Sequence, residues 1–181
     1  MRRIGVAYLV VLVAVLTRFV PHLPNFSPVF AALLFGGAHL ERRDAIWYPL
    51  VLLAASDFVL TTLVYRMNIG LDQGTIWLGF AVLAMIGYSL RTRENVPTIA
   101  VAAVAGPTVF FLISNFGVWL GGHGARMYPA TWDGLMACYM AALPFYRNSL
   151  VATAVYTALL FGANEIYRRR HDGTLATAYA K

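Results

Sequence analysis

Ser114-Asn-Phe-Gly-Val-Trp-Leu-Gly-Gly-His-Gly-Ala-Arg-Met-Tyr-Pro-Ala-Thr-Trp-Asp-Gly134, followed by Leu135-Met-Ala-Cys-Tyr-Met-Ala-Ala-Leu-Pro-Phe-Tyr-Arg-Asn148, contains the longest interruption between apolar segments in the chain. Every other break is short. This one carries the densest run of glycines, two of the four tryptophans and charges of both signs. A long irregular stretch between spans is usually functional or disordered, and its aromatic, partly apolar content argues against disorder. The reading that follows is a helical frame holding a lid over a binding cavity.

Composition sets the class of that frame. Of 181 residues, 60% are hydrophobic and 12% charged, against about 25% charged in a soluble domain. This is the composition of a membrane protein, of one-domain length. The net charge of +6 reflects arginines held on one side of a membrane rather than a nucleic-acid surface. A lone Cys138 forms no internal disulfide and no cysteine metal set. Arg2-Arg3 and the apolar run after them resemble a signal peptide, but Arg18 and Pro21-His-Leu-Pro-Asn25 offer no small-x-small cleavage site. The segment reads as a retained first span.

Outward from the central stretch, the chain divides into six predicted spans: residues 4–20, 27–40, 45–65, 75–90, 97–120 and 148–167. The second, fourteen residues, covers only about 21 Å of a ~30 Å hydrocarbon core, so neighbours or its flanks must supplement it. Pro21, Pro24 and Pro28 separate the first two spans, Pro97 opens the fifth, and Gly106-Pro107 predicts a kink. Six spans with an inward N-terminus put ten of the fourteen basic residues inside, among them Arg42, Arg43, Arg91, Arg93 and Arg168-Arg169-Arg170. Arg18, Arg66, Arg126 and Arg147 are left outside. If residues 135–145 also crossed, the Arg168 cluster would be outside, so they are expected to form a short helix in the outer interface. Residues 1–167 are then one six-helix domain and 168–181 a mobile basic tail.

Asp57 is the one acidic residue deep inside a span, which makes it a functional candidate. Arg18 is its expected partner. Two readings stay open: an internal pair that locks two helices, or a ligand or proton site. Trp77, Phe116, Trp119, Tyr128, Trp132, Tyr139, Phe145 and Tyr146 gather with the outer arginines. Aromatic faces suit flat ligands and arginine suits carboxylate or phosphate, although Trp and Tyr also collect at membrane interfaces for anchoring alone. The four histidines form no haem or zinc spacing, Cys138 reads as a packed residue, and no nucleophile, phosphate-loop or metalloprotease motif occurs, so no enzyme and no cofactor are expected. Ala32-x-x-x-Gly36 and Ala102-x-x-x-Gly106 mark smooth helix faces that either pack internally or dock another membrane protein.

Arg18-Phe-Val-Pro-His-Leu-Pro-Asn-Phe-Ser-Pro-Val29, Ala55-Ser-Asp57, Ser114-Asn-Phe-Gly-Val-Trp119, Tyr128-Pro-Ala-Thr131 and Pro144-Phe-Tyr-Arg-Asn148 together resemble an uncharacterised family of small bacterial membrane proteins. That family is described as similar to the substrate-binding S components of energy-coupling-factor (ECF) transporters. The resemblance implies an all-α bundle of six transmembrane helices in the cytoplasmic membrane. It implies a site for a small vitamin-like nutrient under the outer loops 21–27, 66–74 and 121–147. Arg18, Asp57, Arg66, Asn115 and Trp119 would line or gate it, with Tyr128, Trp132 and Arg147 from the last loop and His22 and Asn25 from the first. It also implies an ECF energising module as partner. The Ala-x-x-x-Ala docking pattern many S components carry is absent, since Ala7 meets Val11 and Ala14 meets Arg18. The alternative is an accessory subunit of a larger membrane complex, docking through residues 32–38 and the outer loop.

Overall fold

Asn95 begins one helix by a reciprocal cap. Its side chain accepts from the Thr98 N–H at 3.0 Å while the Thr98 hydroxyl faces the Asn95 N–H, and Pro97 follows where a first-turn proline belongs. Thr131 begins the last helix by accepting the Gly134 N–H, with Asp133 in the first turn complementing the dipole. In the computed structural model, which describes residues 2–121 and 127–179, the helices are α1 (Arg2–Leu16), α2 (Val29–His39), α3 (Asp44–Phe58), α4 (Leu71–Ser89), α5 (Val96–Leu120) and α6 (Trp132–Tyr179). Turns of 3-10 helix extend α1 and α4, and a π-helical turn, Val59–Val64, extends α3. No strand occurs among the described residues. The fold is all-helical, as expected.

Four of these helices are long and apolar enough to cross a membrane: Asp44–Val64, Asp72–Thr92, Val96–Leu120 and Trp132–Arg170. α1 and α2 are apolar but shorter. α2 compensates by position. Its sequence is apolar all round, a pattern that belongs in a core, and it packs against each of the other five helices. Leu33 and Leu34 are fully buried there with Leu53 of α3 and Leu83 of α4. Gly37 of α2 and Gly87 of α4 let two backbones touch, for a Cβ on Gly37 would stand 2.6 Å from the Ala84 carbonyl and the Tyr88 nitrogen. The smooth 32–38 face is therefore spent inside the bundle. Ala102 and Gly106 of α5 are buried too, Gly106 against Leu83.

The cross-contacts give each helix its height. Phe30, at the start of α2, stacks near Phe80 and Phe110. Thr75 of α4 abuts Gly117 of α5 further along. α4 and α5 thus extend past the start of α2, and residues 20–28 connect α1 to it, with the Pro24 carbonyl held by Asn148 of α6 at 3.0 Å. At the opposite end Arg91 donates to the Gly37 and Leu40 carbonyls, and His39 meets Asn164 and Glu94. Arg42, Arg43, Arg91, Arg93 and the Arg168 cluster share this basic end, so the charge segregation read from the sequence is built into the bundle.

One expectation changes. Residues 135–145 are not a separate interfacial helix before a span at 148–167. They are the first part of one continuous α6, which also runs on through residues 168–179. Pro144 removes one helical hydrogen bond but does not stop the helix, because α5 grips both sides of it. Tyr139 donates to the Leu112 carbonyl at 2.8 Å and Cys138 approaches the Asn115 carbonyl at 3.6 Å. Tyr146 shares a hydrogen bond with Thr108 at 2.8 Å, and Phe111 stacks on its ring. The piece lies along the second half of α5. The side reached by the Arg168 cluster is unchanged, because one span replaces a span plus a surface helix. Pro107 lies inside α5, which runs as one helix from Val96 to Leu120.

Candidate functional site

At the end opposite the arginine cluster, Asp57 is 5% exposed and its two oxygens face three donors. Oδ1 pairs with Arg18 Nη2. Oδ2 accepts from Gln73 Nε2 at 2.8 Å and from Trp77 Nε1 at 2.9 Å. Gln73 and Trp77 are four residues apart on α4, so one helix face presents both donors. Arg18 Nη1 donates to the Ser56 hydroxyl and, at 3.5 Å, to the Leu53 carbonyl; Ser56 in turn donates to that carbonyl at 2.8 Å. The cluster ties α1, α3 and α4 together where each meets its loop.

A buried carboxylate persists only when an opposite charge and hydrogen bonds replace its water. Asp57 has both, and its acceptor capacity is largely spent. Arg18 is different. A guanidinium has five N–H groups, and the Nε–H and one Nη2 hydrogen of Arg18 meet no described residue, while a fifth of its side chain is exposed. The free chemistry of the cluster is therefore that of a cation oriented by Asp57, able to take an anionic or carbonyl oxygen. Among the described residues no group of three metal-ligating side chains occurs.

The other predicted site residues distribute around this centre. His22 and Asn25 are exposed on the 20–28 connection, where His22 bonds the Val20 carbonyl at 2.7 Å and Asn25 takes a left-handed φ of 57°. Arg66 is exposed and also left-handed, φ 53°, just past the π-helical turn where Met67 N–H returns to the Thr61 carbonyl. A left-handed arginine is uncommon and costs about 1 kcal/mol. Asn115 is half-buried and donates back along α5 to Phe111. Trp119 reaches the Pro129 carbonyl at 3.0 Å, tying the stretch before α6 to the end of α5. Tyr128 is half-buried beside it, and Trp132 is 71% exposed.

Arg147 is exposed and is not gathered into the cluster. At about 100° per residue it lies on the far side of α6 from Ser149, which is buried in the bundle. Arg126 and the glycine-rich residues 122–125 lie outside the described residues. The structure thus joins Arg18 to Asp57 directly, sets His22 and Asn25 on the adjoining connection, and leaves the lid residues tied to one another. Sequence reasoning missed Ser56 and Gln73, and for Trp77 it left a ligand face and an interface anchor open. The available signal was the Gln73–Trp77 spacing at the head of a span.

The sequence matches a family of unknown function (DUF6580) over residues 1–175. The chain belongs to that family. No curated protein and no solved structure matches it. This DUF6580 protein carries a saturated buried carboxylate and a partly free guanidinium at one end of an apolar helical bundle.

Proposed function

We propose that this DUF6580 protein binds a small polar solute at the end opposite its arginine cluster and serves its uptake, in the manner of the ECF S components its sequence resembles. One observation carries the reading: Arg18 is held by Asp57, Ser56 and the Leu53 carbonyl and still has unengaged donors. An ionisable group within an apolar bundle is costly unless paired or wetted, and by default it marks a functional site. A carboxylate or phosphate oxygen of a vitamin-like nutrient is the group it suits. His22 and Asn25 would complete the polar rim, with Trp119 and Tyr128 over it. In this reading the basic end, with both termini, faces the cytoplasm of a bacterial cell, and an ECF module or another membrane partner supplies energy. In this reading the protein acts as a binder and not an enzyme.

The test is native mass spectrometry of the full chain in detergent, followed by uptake measurements in cells. A small anionic metabolite should be found on the wild type and be lost from Arg18→Gln, with uptake falling at least tenfold. A clean spectrum together with normal uptake in that variant would end the proposal.

A second reading has its own support. Asp57 is filled by three donors, as an interhelical lock would be, and such a bundle could be an accessory subunit of a larger complex. Its docking face would not be the 32–38 surface, which α4 already covers. Recovery in a stoichiometric complex with no bound metabolite would favour it.

A further inference from the structure

The two ends of α4 and α5 differ in how closely they meet. Toward the basic end they part around an open groove of about 400 Å³. Its walls are apolar, Ile86 and Leu90 on α4 with Val101, Ala102 and Ala105 on α5, and its mouth is polar, formed by Arg93 and the hydroxyls of Ser89, Thr92 and Thr98. The small side chains of Ala102 and Ala105 leave the space, and the loop that returns through Asn95 and Pro97 holds the mouth open. From Pro97 to Ala105 the groove follows α5 for about 12 Å at 1.5 Å per residue. That is close to the ~15 Å depth of one leaflet, half of a ~30 Å hydrocarbon core.

The mouth has a defined charge pattern. Arg91 is turned away, its guanidinium on the Gly37 and Leu40 carbonyls and over the Tyr88 ring. Glu94 faces His39. The first turn of α5 is closed by the Asn95 cap, so its N–H groups are not an anion site. Arg93 alone is left over. It is exposed, and no described residue engages its guanidinium. The three hydroxyls have already donated, Ser89 to the Ile86 carbonyl, Thr92 to Ser89 and Thr98 to Arg93 and Asn95. They offer lone pairs only.

We propose that this groove is a binding site for an anionic phospholipid of the leaflet at the basic end, one acyl chain lying along Ala102 and Ala105 and the phosphate on Arg93. A headgroup with hydroxyl donors, as in phosphatidylglycerol, complements the three spent hydroxyls better than a choline headgroup, which has none. Both lipids carry the phosphate, but only in phosphatidylcholine does a headgroup ammonium oppose Arg93, which gives the net-anionic phosphatidylglycerol an advantage of about tenfold.

The experiment uses the full chain in detergent, with thermal unfolding and native mass spectrometry on addition of phosphatidylglycerol, phosphatidylcholine or inorganic phosphate. Phosphatidylglycerol should raise Tm by several degrees and be retained in preference to phosphatidylcholine. Arg93→Gln should abolish that preference. Ala105→Phe, which fills the groove, should abolish retention of either lipid. Arg43→Gln, at the same end but outside the groove, should change nothing. Equal effects of the two lipids, a preference that survives Arg93→Gln, an equal loss in Arg43→Gln, or inorganic phosphate matching the lipid would each overturn the proposal. Arg93→Gln alters an exposed side chain, so the test stands even if Ala105→Phe does not fold.

Discussion

The two ends of the α4 helix meet their neighbours by opposite means. Near the basic end, α4 lies backbone to backbone on α2 through Gly87 and Gly37, and Arg91 just past its end clasps the Gly37 and Leu40 carbonyls. At the other end it holds α1 and α3 through side chains, Gln73 and Trp77 on Asp57 and Asp57 on Arg18. In an apolar solvent close packing of small residues and interhelical hydrogen bonding are the two ways to join helices, since lipid tails offer no hydrophobic drive. Here close packing centres on the Gly37–Gly87 crossing and hydrogen bonding to a buried charge on Asp57. The packed crossing fixes α2 as the centre, and the polar cluster sits where α2 does not reach. What differs is the ability to exchange partners: a glycine crossing has one arrangement, whereas a guanidinium with spare donors can take another oxygen.

The strongest way to break that contrast is at Asp57. Asp57→Leu leaves Arg18, Gln73 and Trp77 facing a space with no acceptor and should lower stability by about 3 kcal/mol. The figure sits at the low end for a buried pair because the Arg18 side chain is 20% exposed. Adding Arg18→Met to Asp57→Leu should recover much of the loss, since the stranded cation is then gone. Thermal unfolding of the three proteins in one detergent decides it. Additive losses would show that the two residues do not act as a pair.

The packed crossing should answer next. Gly37→Val brings side-chain carbons against the Ala84 carbonyl and Tyr88 nitrogen, groups of the backbone that cannot rotate away, and should cost about 2 kcal/mol. Unlike Asp57→Leu, it has no rescuing partner among side chains. Its signature is a lowered Tm with the Arg18–Asp57 cluster, and any solute binding there, preserved up to the unfolding temperature. Loss of binding well below that temperature would mean the two ends are coupled rather than separate.

How far the sequence could be read follows the same division. Asp57 and Arg18 stood out because charges are scarce in apolar spans, and one charge strongly implies another. The shortness of α2 was visible in its length, and the answer the sequence allowed, shielding by neighbours, is what its central position supplies. Gln73 was hidden among the polar residues of the 66–74 interruption, where only its four-residue spacing to Trp77 separates it from a loop amide. The break assumed before Asn148 followed from the arginine count, which kept residues 135–145 from crossing, and Pro144 stands just ahead of it. Proline marks a helix end only when nothing outside the helix holds it, and the partners that hold this one, Leu112 and Thr108 of α5, lie more than thirty residues away or nearly so, beyond any local rule.

The smallest expected effect tests whether the lid belongs to either regime. Trp119 contributes one hydrogen bond to the Pro129 carbonyl, worth about 1 kcal/mol. Trp119→Phe keeps an aromatic face beside Phe116 but removes the donor. Because the bond ties an exposed connection and not the core, the global Tm should move little. The loss should appear instead as local opening: faster amide hydrogen exchange through residues 127–131, with exchange in α2 and α4 unchanged. If exchange in those helices also rises, the stretch before α6 is part of the packed frame. If only the lid loosens, the aromatic end of the bundle is stabilised contact by contact, as an end that must admit and release a solute would be.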